Sequence, residues 1–146
     1  MGNRPVVYDK AKYHYDGDYP DDLPIEQAFV HTGMFLGWII DHDLYSDEFS
    51  KDSAQEIRAF KGRDMSGPQV YASWDGCLID DMLNEEGNRF ATAYFDFDHG
   101  DYLTDYEEIL AADLPSTYHV QDTWENYETL KRKIDERYRQ WRGSSA

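Results

Sequence analysis

The sequence predicts a mainly α protein, a single compact helical domain over residues 1–146 built around a central apolar helix at about 24–42. Three observations carry that prediction. From Ala28 to Ile40 the chain is apolar nearly all round a helical projection: Ile25, Ala28, Phe29, Leu36, Ile39 and Ile40 take one side, Phe35 and Trp38 the other. A helix of that kind belongs in the middle of a core. Near the C-terminus Trp124, Tyr127, Ile134, Tyr138 and Trp141 recur at three- and four-residue steps. Finally, 16% aromatic residues set the chain apart from disordered sequences in spite of its 30% charged residues. A chain of 146 residues supports one core without help from disulfides or a metal.

Residues 1–23 read as an irregular entry segment. Tyr8, Tyr13, Tyr15 and Tyr19 alternate there with aspartates around the turn formers Gly17 and Pro20, and the tyrosines are expected to pack down. Asp22 suits the N-cap of the central helix and Pro24 its first turn. A second helix is expected after Ser46, running through Phe49, Ile57 and Phe60 to a stop at Gly62. Residues 69–79 admit two readings, because Asp75-Gly76 between apolar runs signals a hairpin and equally ends a short helix; the short helix is favoured. Asn84 caps a helix carrying Phe90, Ala91, Tyr94 and Phe95. After a break near Gly100, Tyr102, Leu103, Tyr106, Ile109 and Leu110 form another, ended by Pro115. Asp122 and Glu125 resemble a capping box for the last helix, Glu128 stands four before Arg132, and residues 143–146 form a frayed tail.

Thirty acids against fourteen bases give a net charge of −16, which argues against nucleic acid as a partner. The single Cys77 forms no internal bridge, no apolar run spans a bilayer, and no leader is evident, so a cytoplasmic protein away from membranes is expected. The charge is uneven. Residues 75–113 hold twelve acids and one base, whereas the last helix is near neutral with a basic end that suits its dipole.

Chemical motifs are sparse. The run Asp96-Phe97-Asp98-His99-Gly100-Asp101 alternates carboxylates as a calcium loop does, but its glycine falls one position early, so no metal is expected. No two of the histidines 14, 31, 42, 99 and 119 have ligand spacing, and no phosphate loop or serine elbow occurs. Acidic neighbours disfavour Cys77 as a nucleophile. No cofactor and no catalytic residue is expected. His31 reads as a core histidine bonded to backbone, or else as a general base. The acidic run, interleaved with aromatics, suggests a protein-binding face made of Asp96, Asp98, Asp101, Tyr102, Asp105, Tyr106, Glu107 and Glu108. From another class comes an enzyme or small-molecule-binding protein whose pocket is lined by Tyr13, His14, His31, Trp38 and Asp41. A homodimer using its aromatics on itself is a third reading.

Several strings carry a resemblance: Asp9-Lys10-Ala11-Lys12-Tyr13-His14 with Gly17-Asp18-Tyr19-Pro20 and Leu23-Pro24; His31-Thr32-Gly33-Met34-Phe35-Leu36-Gly37-Trp38; Leu83-Asn84-Glu85-Glu86-Gly87-Asn88 with Phe90-Ala91; and Tyr118-His119-Val120 with Asp122-Thr123-Trp124-Glu125-Asn126-Tyr127. They resemble a family of small acidic bacterial proteins, classed as a domain of unknown function and found near polymorphic toxins as candidate immunity proteins. The resemblance implies a binding module that docks an acidic face on a basic toxin, and it supplies no catalytic residues. The motif residues themselves read as structural, with Gly33 and Gly37 letting another element approach the central helix closely.

Overall fold

The computed structural model describes residues 6–144 and is mainly helical, with one small antiparallel sheet. Strand β1 (Val7–Lys10) leads into the one-turn helix α1 (Lys12–Tyr15). A 3₁₀ turn (Ile25–Phe29) then runs directly into α2 (Val30–Asp41). Helices α3 (Asp47–Asp52), α4 (Ala54–Lys61) and α5 (Gly67–Ser73) follow. Strand β2 (Cys77–Ile79) returns to pair with β1. Helix α6 (Glu85–Phe90) continues as a π turn (Ala91–Phe95), and α7 (Tyr102–Leu110), a 3₁₀ turn (Thr117–His119) and α8 (Trp124–Ser144) complete the fold. No helix among the described residues is long and apolar enough to cross a membrane.

Helix α2 is the core. Every residue from Val30 to Ile40 is buried, as an all-round apolar helix requires. Its small residues decide what lies beside it. A Cβ placed on Gly33 would stand 2.3 Å from the Pro68 Cα, and one on Gly67 would stand 2.2 Å from the Gly33 carbonyl oxygen. The backbones of α2 and α5 therefore touch at a distance that only glycine permits. Gly37 faces the Phe60 ring of α4 in the same way, so the close approach expected at both glycines is present. Phe35, Trp38, Phe90, Tyr94, Phe95 and Tyr102 form an aromatic layer on another side of α2, closed by Tyr138 of α8.

Helix boundaries follow local hydrogen bonding. Ser46 caps α3 by accepting from the Phe49 N–H, and Asn84 caps α6 by accepting from the Gly87 N–H, both as expected. Ser66 and Gln69 make a capping box on α5. Elsewhere the structure corrects the sequence reading. Pro24, not Asp22, opens the central element, and its first turns are 3₁₀. The single helix expected from Ser46 to Gly62 is two, broken at Ser53, whose hydroxyl accepts from Trp74 Nε1 at 2.7 Å. Residues 69–79 form no hairpin of their own: α5 ends at Ser73, residues 74–76 turn with Asp75 and Gly76 at positive φ, and β2 finds its partner in β1. The residues after Leu110, rather than Pro115, end α7.

Thr123 supplies the cap of α8 by accepting from the Asn126 N–H, because Asp122 is turned aside to accept from the Ser66 hydroxyl. Glu128 meets Arg63 instead of Arg132. Gly143 and Ser144 belong to α8, and the rest of the expected tail lies outside the described residues, as do residues 1–5. The entry segment is more regular than expected, holding both β1 and α1, while Tyr13 is exposed.

Candidate functional site

Strand β1, helix α1 and the first turn of α2 come together, and each delivers one polar side chain. Strand β1 carries a bulge between Val7 and Asp9 against β2, and the extra residue reverses the strand's alternation. A bulge of this kind re-aims a side chain, here turning the Asp9 carboxylate inward until it is 3% exposed. Ala11, packed in the core and bonded to the Gly76 carbonyl, fixes α1 so that His14 folds back over Asp9. His31 stands in the first turn of α2, also buried, with its backbone carbonyl accepting from the Tyr102 hydroxyl.

The side chains converge closely. His14 Nε2 lies 2.9 Å from both carboxylate oxygens of Asp9 and 3.3 Å from His31 Nε2. His31 Nε2 is 3.7 Å from Asp9 Oδ2. The two imidazoles meet edge to face, with ring centres 4.5 Å apart. Around them, the Thr32 hydroxyl donates to Asp9 Oδ2 at 2.6 Å, and the Tyr118 hydroxyl lies 2.9 Å from His14 Nδ1. Burial pushes His31 down to about 4, with Asp9 opposing and His14 reinforcing the shift, so its ring is neutral at neutral pH. Burial, with Asp9 and Asp18 beyond it, pushes the Tyr118 phenol up and keeps it protonated.

A cavity of about 310 Å³ opens onto this cluster. His14 and His31 form part of its lining. Phe97 and Leu103 give it apolar walls, and Ser116, Thr117, Tyr118 and Glu107 give it polar ones. The Glu107 carboxylate is held by the Thr117 hydroxyl at 3.1 Å. A larger groove of about 460 Å³ lies between the 3₁₀ turn before α2 and helix α5, but neither histidine nor cysteine lines it.

A family model described as a domain of unknown function (DUF7832) matches residues 7–120. The chain belongs to the DUF7832 family. No curated protein and no solved structure matches it. The DUF7832 span contains Asp9, His14, His31 and every residue lining the 310 Å³ cavity, and it stops before α8.

The residues expected for a pocket do not all gather. His14 and His31 come together, and Tyr13 points to solvent. Trp38 and Asp41 lie two to three turns further along α2, each in a polar assembly of its own. Trp38 Nε1 and His42 Nε2 both reach Asp135 Oδ1, at 2.9 and 2.8 Å. Asp41 takes a two-pronged contact from Arg63 at 3.2 Å and accepts from the Tyr127 hydroxyl at 2.6 Å. Asp9, absent from the expected pocket, is the buried carboxylate on which His14 and His31 converge.

The expected acidic face divides as well. Asp98, Asp101, Glu107 and Glu108 are exposed, and Asp96 is half-buried, accepting from the Asp98 N–H and from His99. Tyr102, Asp105 and Tyr106 are not on the surface. The helical period of α7 turns all three inward, where Asp105 takes Arg137 and Tyr94 as partners.

Proposed function

We propose that this DUF7832 domain binds a small polar molecule in the cavity above Asp9, His14 and His31. The observation that carries the reading is the convergence of two imidazoles, both bordering a cavity with apolar walls at Phe97 and Leu103, on the buried carboxylate of Asp9 behind them. Ligand sites characteristically combine apolar walls with a few convergent polar groups. A volume of about 310 Å³ suits a metabolite-sized compound, and His14, Tyr118 and Glu107 offer it both hydrogen-bond donors and acceptors. Asp9 holds His14 on one side and Tyr118 holds it on the other, so the imidazole is fixed in orientation before any ligand arrives.

The test is a fragment titration followed by the ring carbon-bound proton resonances of the histidines. Fragments that enter the cavity shift His14 and His31 together and leave His42, His99 and His119 in place. A library of polar fragments that never moves His14 or His31 at millimolar concentration defeats the proposal.

A second reading is favoured by the net charge of −16 and by the exposure of Asp98, Asp101, Glu107 and Glu108 along α7 and the turn before it. In it the domain docks this face on a basic protein, as an immunity protein would on a bacterial toxin. Its test is retention of such a partner at 0.15 M salt, roughly physiological ionic strength. Charge reversal at Asp98, Asp101 and Glu108 should release the partner, and undiminished retention would sink the docking face.

A further inference from the structure

We infer that Asp9, His14 and His31 are the protein ligands of one divalent transition-metal ion, zinc by the chemistry of the donors, with an open coordination position facing the cavity. The inference rests on the reading of that cavity as the working site and gives it a cofactor. It stands on the positions of three atoms: His14 Nε2, His31 Nε2 and Asp9 Oδ2 are separated by 2.9, 3.3 and 3.7 Å. A triangle of those sides has a point about 1.9 Å from all three corners, and a point slightly off its plane reaches the 2.0–2.1 Å usual for zinc to imidazole and carboxylate. Their mean separation equals the edge of a tetrahedron of such bonds, about 3.3 Å.

Hydrogen bonding alone leaves the arrangement unsatisfied. His14 Nε2 carries at most one proton, and it faces both the Asp9 carboxylate and the Nε2 of His31. If that proton goes to Asp9, the lone pair of His31 has no donor; if His31 also carries a proton on Nε2, two N–H groups point at each other. Two nitrogens and an oxygen directing lone pairs to one spot are satisfied together by a cation. The next shell is arranged for the same purpose. With Nε2 on a metal, the His14 Nδ1–H would donate to the Tyr118 hydroxyl 2.9 Å away, and the Thr32 hydroxyl donates to the ligating carboxylate. Such partners orient ligands at metal centres.

The donor set points to a class of ion. Imidazole suits zinc, iron, copper and nickel, and a neutralising carboxylate with two imidazoles is a combination found at catalytic zinc and non-haem iron centres. Calcium and magnesium prefer all-oxygen shells. Three protein ligands leave a position for water or substrate, and His14 and His31 both border the cavity. The metal would supply Lewis acidity there, and Glu107 of the same cavity is the nearby carboxylate able to accept a proton.

The test uses the tag-free full chain, freed of metal by a chelator and titrated with Zn²⁺ by calorimetry and with Co²⁺ by visible absorption. One ion per chain and intense d–d bands of low-symmetry four-coordinate cobalt are expected. His14→Gln, on the most accessible of the three ligands, should weaken zinc at least about 100-fold, and Tyr118→Phe and Thr32→Val about 10-fold each. His99→Gln, at the exposed turn after the π segment, should change it less than about twofold. Absence of stoichiometric zinc, or affinity unchanged in His14→Gln, overturns the proposal. Loss of binding in Asp9→Asn with an unchanged far-ultraviolet spectrum supports it independently of His31, whose substitution risks the fold. The fragment titration run on metal-free protein keeps the two ideas apart. Fragments that shift His14 where zinc fails to bind leave the cavity reading standing without its metal, whereas zinc binding with no fragment response leaves the metal without the small-molecule site.

Discussion

Replacing Arg137 with methionine should cost this protein about 3 kcal/mol, because it strands a carboxylate in the core. Asp105 is 2% exposed, and Arg137 grips it with Nε on Oδ2 and Nη2 on Oδ1, both at 2.8 Å. Tyr94 donates to the same Oδ2 at 2.7 Å. Those hydrogen bonds hold the guanidinium pKa well above its usual range. Removing one partner of a buried pair costs about 3–5 kcal/mol, since the other charge stays in low dielectric without compensation. The outer edge of Arg137 is wet, with Nη1 only 3.8 Å from the exposed Asp101, so the lower end of that range applies. The assay is urea unfolding followed by tryptophan fluorescence. With a slope of about 2 kcal/mol per molar, the midpoint should fall by about 1.5 M. Pairing Arg137→Met with Asp105→Asn should recover most of the loss, because the amide oxygen still accepts from Tyr94 and no charge is left buried. A fall below about 1 kcal/mol, the worth of an exposed ion pair, would refute the reasoning, and so would strict additivity of the two substitutions.

Three further outcomes are expected. Gly33→Ala should lower the melting temperature, since the added Cβ would lie 2.3 Å from the Pro68 Cα and force α5 off α2, at about 1–3 kcal/mol; an exposed helical glycine would respond to the same change with a gain, so the sign decides. Asp135→Asn should flatten the acid limb of the stability curve. Burial pushes the Asp135 carboxyl up, but the Trp38 N–H, Lys131 and His42 more than offset it and hold it below the usual range. Its contribution is therefore present above the unfolded value of about 3.9 and lost as pH falls through the lower folded value, and an unchanged slope below pH 4 in urea midpoints would contradict this. Tyr106→Phe should be neutral or raise stability by about 1 kcal/mol in the same assay, because the buried Tyr106 hydroxyl has no hydrogen-bond partner among the described residues.

The helical architecture was legible because it is written in periodicity. The all-round apolar run from Ala28 to Ile40 could only be a central helix, and Gly33 and Gly37 within it could only mark close approach. The caps at Ser46 and Asn84 were legible for the same reason, being local. What escaped was non-local. Ser53 breaks a helix because Trp74, twenty-one residues away, takes its hydroxyl, and Asp122 leaves its capping position because Ser66 does. Within the cluster beside the cavity, His14 and His31 were legible as candidates, whereas Asp9 was not, because a strand bulge turns it inward and alternation read from sequence carries no sign of a bulge. A signal was nevertheless present: the strings that carry the family resemblance contain Asp9, His14, His31, Thr32 and Tyr118. The acidic face was misjudged at Tyr102, Asp105 and Tyr106 because composition counts charges without saying which side of α7 they occupy.

Helix α2 has polar assemblies at both ends, and the difference between them bears on function. At the C-terminal end Asp41 is matched by Arg63 and Tyr127, and His42 with Trp38 by Asp135, whose second oxygen takes Lys131. Each carboxylate there has a cation or several donors, so the assembly ties α8 and the turn after α4 to the core. At the N-terminal end Asp9 is more deeply buried than either, yet no lysine or arginine approaches it among the described contacts; its partners are a threonine hydroxyl and two imidazoles. A buried carboxylate costs several kcal/mol unless it is compensated. Lysine and arginine partners thus stand at the C-terminal end of α2 and, among the described residues, none at Asp9 beside the cavity, and the proposed binding site rests on that contrast.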